Sequence, residues 1–242
     1  MPQPTTLSIN PFLPNRTGTC PLPIHPLSAP APTPTTGPKV VHSPMTRHDA
    51  VSLIDTPWFR NETNPMRWAD LGCGSGTFTL ALADLLPPGS SIEAIDLHPS
   101  IAPQTTKNGV TIYPRAADFT TLEFATLEFT PPTGTSAPAA PIPDRLWPGT
   151  QPLQYHGILM ANSLHYVQDQ KAFLTRLKTG PLLLIEYDTD IPVARWVPYP
   201  LSFANAAHLL QSTGRPRIKK LGTLPSAFGR THLYAALALP AE

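Results

Sequence analysis

Cysteine is almost missing from this 242-residue chain: there are two, Cys20 and Cys73. Cys20 stands in a proline-rich stretch and Cys73 inside a glycine turn. They make no disulfide framework, and a reducing compartment is expected. Charge is sparse as well. Seventeen Lys and Arg face sixteen Asp and Glu, a net charge of +1, so no global field gathers nucleic acid or an anionic membrane. The one local basic cluster, Arg215, Arg217, Lys219 and Lys220, reads as a solvated strand or turn. No apolar run approaches the roughly 20 residues of a membrane-spanning helix, and the N-terminus lacks the basic-then-apolar order of a secretory signal. No group of carboxylates and histidines has metal-ligand spacing, so no metal is expected. The expected setting is the cytoplasm, with neither nucleic acid nor membrane as partner.

Proline, by contrast, is plentiful at 33 residues, and much of it falls in two stretches. Residues 1–44 are crowded with Pro, Thr and Ala, a composition that favours extended conformers and cannot bury a core; a disordered tail is expected there. The second stretch, Pro131 to Thr150, follows the small tandem duplication Thr121-Leu122-Glu123-Phe124 and Thr126-Leu127-Glu128-Phe129. It reads as a surface insertion. What is left, 45–242, has the length of one sizeable domain.

Within that domain apolar strands alternate with amphipathic helices. Thr46-Arg47-His48-Asp49 has the form of a capping box and opens a helix carrying Ala50, Val51, Leu53 and Ile54. Strands are expected near 67–71, 91–96, 110–114, 155–161 and 182–187. Helices are expected at 76–86, near 99–106, at 168–178 and near 202–213. Two closing runs, 217–222 and 231–238, read as a hairpin. Continuous apolar strands alternating with helices imply an α/β protein with a parallel sheet covered on both faces.

The richest stretch is Trp68-Ala69-Asp70-Leu71-Gly72-Cys73-Gly74-Ser75-Gly76, followed by Ile92-Glu93-Ala94-Ile95-Asp96. An apolar strand ends in an acid, turns through three alternate glycines and enters a helix; a second strand ends in another acid. Such a turn lets a ligand approach the backbone, and the second acid can receive a ribose hydroxyl pair. A dinucleotide loop spaces its glycines G-x-G-x-x-G and seats a pyrophosphate on the helix N-terminus. Here Gly76 comes one position early, and the Asp70 carboxylate would repel a pyrophosphate while suiting a cation such as an amino-acid ammonium. A glycine turn in an unrelated α/β domain, or a dinucleotide site with irregular spacing, stands as the competing reading.

The pattern Asp70-x-Gly72-x-Gly74-x-Gly76 with Asp96 after it resembles the cofactor loop of class I S-adenosylmethionine-dependent methyltransferases, over roughly residues 45–238. The resemblance implies a Rossmann-like methyltransferase fold: a mostly parallel seven-stranded sheet with helices on both faces and a C-terminal antiparallel hairpin. It implies S-adenosyl-L-methionine as cofactor, with Asp70, Gly72, Cys73, Gly74 and Gly76 around the methionine part. Asp96 would take the ribose and Leu97 pack beside the adenine. Ala117-Asp118-Phe119 falls where the family often puts an acid beside the adenine amino group, so Asp118 and Phe119 join the candidates. Asn162-Ser163-Leu164-His165-Tyr166 is similar to the Asn-x-Leu-His-aromatic segment of many small-molecule methyltransferases. It departs from the Asn-Pro-Pro-aromatic motif of enzymes acting on nucleic-acid bases or protein glutamine. Asn162 is therefore a cofactor candidate and the acceptor a small molecule.

The methyl carbon of a sulfonium is already activated, so such a protein must chiefly align a nucleophile and exclude water. A base is needed only where the nucleophile loses a proton. His165 is the candidate base, with a structural histidine at a strand end as its bland alternative. Tyr166, Glu186, Tyr187 and Tyr199 are candidates to shape or polarise a pocket, with packing or surface roles as theirs. Trp196-Val197-Pro198-Tyr199-Pro200 would line its mouth. The expected activity is transfer of a methyl group to an oxygen, nitrogen or carbon of a small molecule. A non-catalytic cofactor-binding scaffold and a nicotinamide oxidoreductase are the alternatives.

Overall fold

A computed structural model of the protein describes residues 45–122, 155–177, 180–226 and 231–241. The proline-rich tail, most of the tandem duplication and the insertion at 131–150 lie outside the described residues.

The first helix, α1 (Arg47–Ile54), begins as its capping box dictates: the Thr46 hydroxyl accepts from the Asp49 amide at 3.1 Å, and the Asp49 carboxylate accepts from Thr46 in return. A short α2 (Pro57–Arg60) follows, started by Thr56 and by Pro57 at its first position, where proline costs no hydrogen bond. Then come β1 (Arg67–Leu71), α3 (Thr77–Leu85) and β2 (Ser91–Asp96), the strand–turn–helix–strand unit of the sequence. The chain continues through β3 (Gln104–Thr105), β4 (Thr111–Ala116), β5 (Gly157–Ala161), α4 (Gln170–Arg176), β6 (Leu182–Tyr187), α5 (Phe203–Ser212), β7 (Arg217–Pro225) and β8 (His232–Leu239).

These strands form one sheet in the order β3-β4-β2-β1-β5-β6-β8-β7. β4, β2, β1, β5 and β6 are parallel; β8 runs antiparallel to β6, and β7 antiparallel to β8. The expected doubly covered α/β sheet with a closing antiparallel hairpin is therefore present, and the order reverses between β1 and β5. In such a sheet a ligand sits beyond the carboxyl ends of the strands flanking that reversal.

Strand alternation sends side chains to two buried layers. On one face Trp68, Ile92, Ala94, Leu183 and Ile185 pack against α1 and α3 through Leu53, Ile54, Ala81 and Leu82. On the other, Leu71, Ile95, Met160, Leu184 and Tyr234 meet Phe173 and Leu174 of α4 and Ala206 and Leu210 of α5. Truncating one such leucine to alanine costs about 2–5 kcal/mol. Gly157 is required at the start of β5, since a Cβ there would lie 2.5 Å from the Trp68 ring. Within the second layer the acid Glu93 is buried, receiving the Tyr155 hydroxyl and, at 3.2 Å, the Arg115 guanidinium.

Three expectations are corrected. No helix forms near 99–106. Pro99 and Pro103 remove the backbone donors a helix there would use, and Asn108-Gly109 makes a tight turn with Gly109 at φ 82°. Residues 104–105 instead add β3 antiparallel to β4, so among the described residues the sheet has eight strands rather than seven. Finally, Arg215 is not solvated with its basic neighbours. It is fully buried, donates from Nε to the Gly180 carbonyl at 3.1 Å, and burial pulls its pKa down to about 10. Arg217 and Lys219 are exposed as expected, while Lys220 pairs with Asp188 at 3.1 Å and lies over the Phe203 ring.

Candidate functional site

The glycine turn between β1 and α3 is built from left-handed backbone: Gly72, Gly74 and Gly76 have φ of 84°, 51° and 81°. Their reasons differ. A Cβ on Gly72 would fall 2.4 Å from Cβ of Ser163, and one on Gly76 would fall 2.5 Å from the Ile101 side chain. At Gly74 a Cβ would meet nothing within 4 Å. Two glycines thus let the protein close on itself, and the middle one faces open space where a ligand can lie against the backbone. Cys73 between them is buried, its thiol pushed up to about 12 by desolvation and then by Asp70 and Asp96. A thiol so protonated is not a nucleophile.

Asp70 sits at the end of β1, 1% exposed. Its Oδ2 accepts from the Thr79 hydroxyl at 2.5 Å; its Oδ1 is buried with no hydrogen-bond partner. Burial raises its pKa from 3.8 to about 7, against the opposing pull of Thr79, with Asp96 adding to the rise. A buried carboxylate oxygen without a donor is costly. A cation placed at Oδ1 would relieve that cost.

Asp96, at the end of β2, holds the turn in shape. Its Oδ2 accepts the Gly74 amide at 3.0 Å and its Oδ1 the His98 amide at 2.9 Å, while the Gly74 carbonyl accepts the Ser100 amide at 2.9 Å. Leu97 beside it is 61% exposed, a bare apolar surface at the rim. After β4, Asp118 caps a 3₁₀ turn, its Oδ1 accepting from the Thr120 amide and hydroxyl. Phe119 in that turn stacks edge-on to Phe173, centroids 5.7 Å apart, and lies near Gly72.

After β5 the chain turns sharply at Asn162, a non-glycine residue at φ 54° whose amide is held by the Ile185 carbonyl at 2.8 Å. Its Oδ1 is a second buried acceptor without a donor. Such strain in an asparagine costs of order 1 kcal/mol and persists where neighbours fix it. One such neighbour is Ser163, whose hydroxyl donates to the Leu71 carbonyl at 2.6 Å and ties this turn to the glycine turn.

His165 is 1% exposed, and its Nδ1 lies 2.6 Å from Oε2 of Glu186, itself buried at the end of β6. The other Glu186 oxygen accepts the His165 amide at 3.2 Å. The ring rests 4.4 Å from that of Tyr166 and 5.8 Å from that of Tyr187. Burial and the Glu186 charge push the Tyr187 phenol up to about 12 and raise that of Tyr166 as well, so both stay protonated donors near neutral pH.

The expected residues therefore gather at one edge of the sheet: Asp70 and the glycines after β1, Asp96 and Leu97 after β2, Asp118 and Phe119 after β4, Asn162, His165 and Tyr166 after β5. Sequence reasoning missed Thr79, Ile101 and Ser163. Thr79 alone left a signal, as a hydroxyl on the otherwise apolar inner face of α3. Among the described residues no group of three His, Cys, Asp or Glu is placed to hold a metal ion.

No family model and no curated protein matches the chain. Among solved structures it is similar to EvdMO1, at 17% identity and a TM-score of 0.46, over 79% of this chain and 41% of that one. It is similar to YcgJ of Bacillus subtilis at 10% identity and a TM-score of 0.49, over 81% of this chain and 99% of that one. The arsenic(III) S-adenosylmethionine methyltransferase CrArsM of Chlamydomonas reinhardtii shares 14% identity with a TM-score of 0.45, over 78% of this chain and 72% of that one. The chain thus spans less than half the length of EvdMO1.

Proposed function

We propose that the protein transfers a methyl group from S-adenosyl-L-methionine to an oxygen, nitrogen or carbon atom of a small molecule. The observation that carries this reading is the pair of buried, donorless oxygens, Asp70 Oδ1 and Asn162 Oδ1, at the ends of adjacent strands and joined across the turns by Ser163. Both are acceptors, and one is an acid. They call for a compact group rich in N–H donors and positively charged, which an amino-acid ammonium is and a diphosphate is not. The open space at Gly74 admits the chain that carries it.

Asp96 then receives the ribose diol, with Leu97 and Phe119 offering apolar surface to the adenine and Asp118 its remaining carboxylate oxygen to the adenine amino group. When bound, the sulfonium supplies a methyl carbon that needs no further activation. The chain's part is to orient the nucleophile and exclude water. Glu186 holds the His165 imidazole with a proton on Nδ1, leaving Nε2 as the acceptor of a proton from the nucleophile. Tyr166 and Tyr187 border the same ring as neutral donors.

Titration calorimetry with S-adenosylmethionine tests the binding half: heat of saturable binding with a stabilising thermal shift is expected, and neither at millimolar ligand refutes it. Formation of S-adenosylhomocysteine with a metabolite extract tests the transfer half. Binding without any turnover would assign the chain to the non-catalytic alternative.

A further inference from the structure

Six large apolar side chains stay exposed among the described residues: Leu97, Tyr166, Ile191, Val193, Trp196 and Tyr199. All six follow the carboxyl ends of β2, β5 and β6, at the rim that carries Asp70 and Asn162. Exposed apolar surface gathered at one place marks a binding face. Five of the six belong to the two loops around His165.

The loop after β6 is built to hold these side chains out. Val193 and Val197 exchange backbone hydrogen bonds at 3.0 and 2.8 Å, closing a small hairpin around Arg195, whose φ is 74°. Pro192, Pro198 and Pro200 restrict the backbone on either side. The Tyr199 amide donates to the His165 carbonyl at 3.0 Å, and the Gln170 side chain donates to the Leu164 and Tyr199 carbonyls, stitching the hairpin to the turn after β5. The buried Tyr234 hydroxyl anchors its far end at the Leu201 carbonyl.

The acids nearby are already engaged. Glu186 serves His165; Asp188 accepts the Phe203 amide and Lys220; Asp190 accepts the Ser202 amide and the Asn205 side chain. Between Ile191 and Tyr199 the only charged side chain is Arg195, exposed at the turn. Between Ile191 and Tyr199 the face therefore offers rings and branched aliphatic carbons, with no carboxylate among them.

We propose that this hairpin and Tyr166 form the acceptor-binding wall, and that the acceptor is an uncharged, planar aromatic molecule. The proposal rests on the cofactor reading above, which places the methyl donor on the same rim. Its test uses 2-naphthol as probe, titrated calorimetrically into the full chain in the presence of S-adenosylhomocysteine. Saturable binding is expected, weakened at least tenfold in the Ile191→Ser, Trp196→Ala double variant, while affinity for S-adenosylhomocysteine stays within twofold of wild type. Both substitutions fall on exposed side chains, so the fold should tolerate them; a retained melting temperature verifies it. Binding that does not saturate, that survives the double substitution, or that is matched by naphthalene-2,6-disulfonate overturns the proposal. So does a dimer, or adsorption to phosphatidylcholine vesicles, that the double variant abolishes, for the wall would then belong to a second copy or a bilayer. If 2-naphthol binds and the variant loses it while S-adenosylhomocysteine never binds, the wall is an aromatic-ligand site and the cofactor reading alone fails.

Discussion

Lowering the pH should weaken S-adenosylmethionine binding steeply, through one residue. Asp70 is buried with a pKa of about 7 against 3.8 in the exposed state, because desolvation outweighs the 2.5 Å hydrogen bond from Thr79. The folded chain therefore retains a proton that the unfolded chain releases. Stability from this source is fully present below pH 4 and is lost as the pH rises through 7, a difference of about 4 kcal/mol at 1.4 kcal/mol per tenfold. An ammonium seated at Oδ1 reverses the balance by favouring the ionised carboxylate. Binding then requires Asp70 to release its proton, so affinity falls about tenfold per pH unit below 7. Between pH 7.5 and pH 5 the dissociation constant should rise by roughly 100-fold. The ligand's own amino group titrates near 8, above this window. Calorimetry across the window, repeated in buffers of different ionisation enthalpy, reads both the affinity and the released proton. 5′-Methylthioadenosine, which lacks the amino-acid end, should bind without this slope, and Asp70→Asn should abolish it. An affinity constant within twofold from pH 5.5 to 7.5, or an unchanged slope in Asp70→Asn, would refute the reasoning.

The glycine turn makes a paired prediction. Gly72→Ala should destabilise the fold by several kcal/mol, about 1–3 from the clash with Ser163 and about 1–2 from the left-handed backbone, visible as a large drop in melting temperature. Gly74→Ala meets no protein atom; it should cost only about 1–2 kcal/mol of stability, yet lower S-adenosylmethionine affinity tenfold or more as its methyl enters the ligand's space. Asp96→Ala should cost about 1–3 kcal/mol of cofactor affinity by calorimetry through unpaired ribose hydroxyls; unchanged affinity would remove Asp96 from the site. His165→Ala should leave S-adenosylmethionine binding intact while turnover, followed as S-adenosylhomocysteine, falls. Glu186→Gln should lower turnover and shift its pH profile, since the amide cannot stabilise an imidazolium; an unmoved profile would leave the pair a purely structural fastening.

The parts of the site that are local in sequence could be read from it. Asp70, the three glycines and Asp96 lie within 27 consecutive positions, and strand, turn and helix each leave their own period and breaker residues. The same holds for the strands 91–96 and 182–187, short runs with an apolar interior bounded by turns. What the sequence hides is whatever depends on register between strands. Ser163 reaches Leu71 across 92 positions, and Glu186 meets His165 only because β5 and β6 pair in parallel with Ala161 opposite Ile185. Ile101 closes on Gly76 because Pro99 and Pro103 forbid the helix expected there, and no periodicity announces that packing. Arg215 resembled its charged neighbours in composition alone; the turn at Gly214, with φ 90°, carries it inward to the Gly180 carbonyl.

The central claim is that the rim between β1 and β5 accepts an ammonium and a sugar diol and rejects a diphosphate. Competitive calorimetry decides it directly, titrating the wild-type chain with S-adenosylhomocysteine and with the oxidised nicotinamide dinucleotide at pH 7.5. Saturable binding of the first with no heat from the second is the predicted result. Saturable binding of the dinucleotide that S-adenosylhomocysteine competes away, or no binding of S-adenosylhomocysteine at all, would contradict the account.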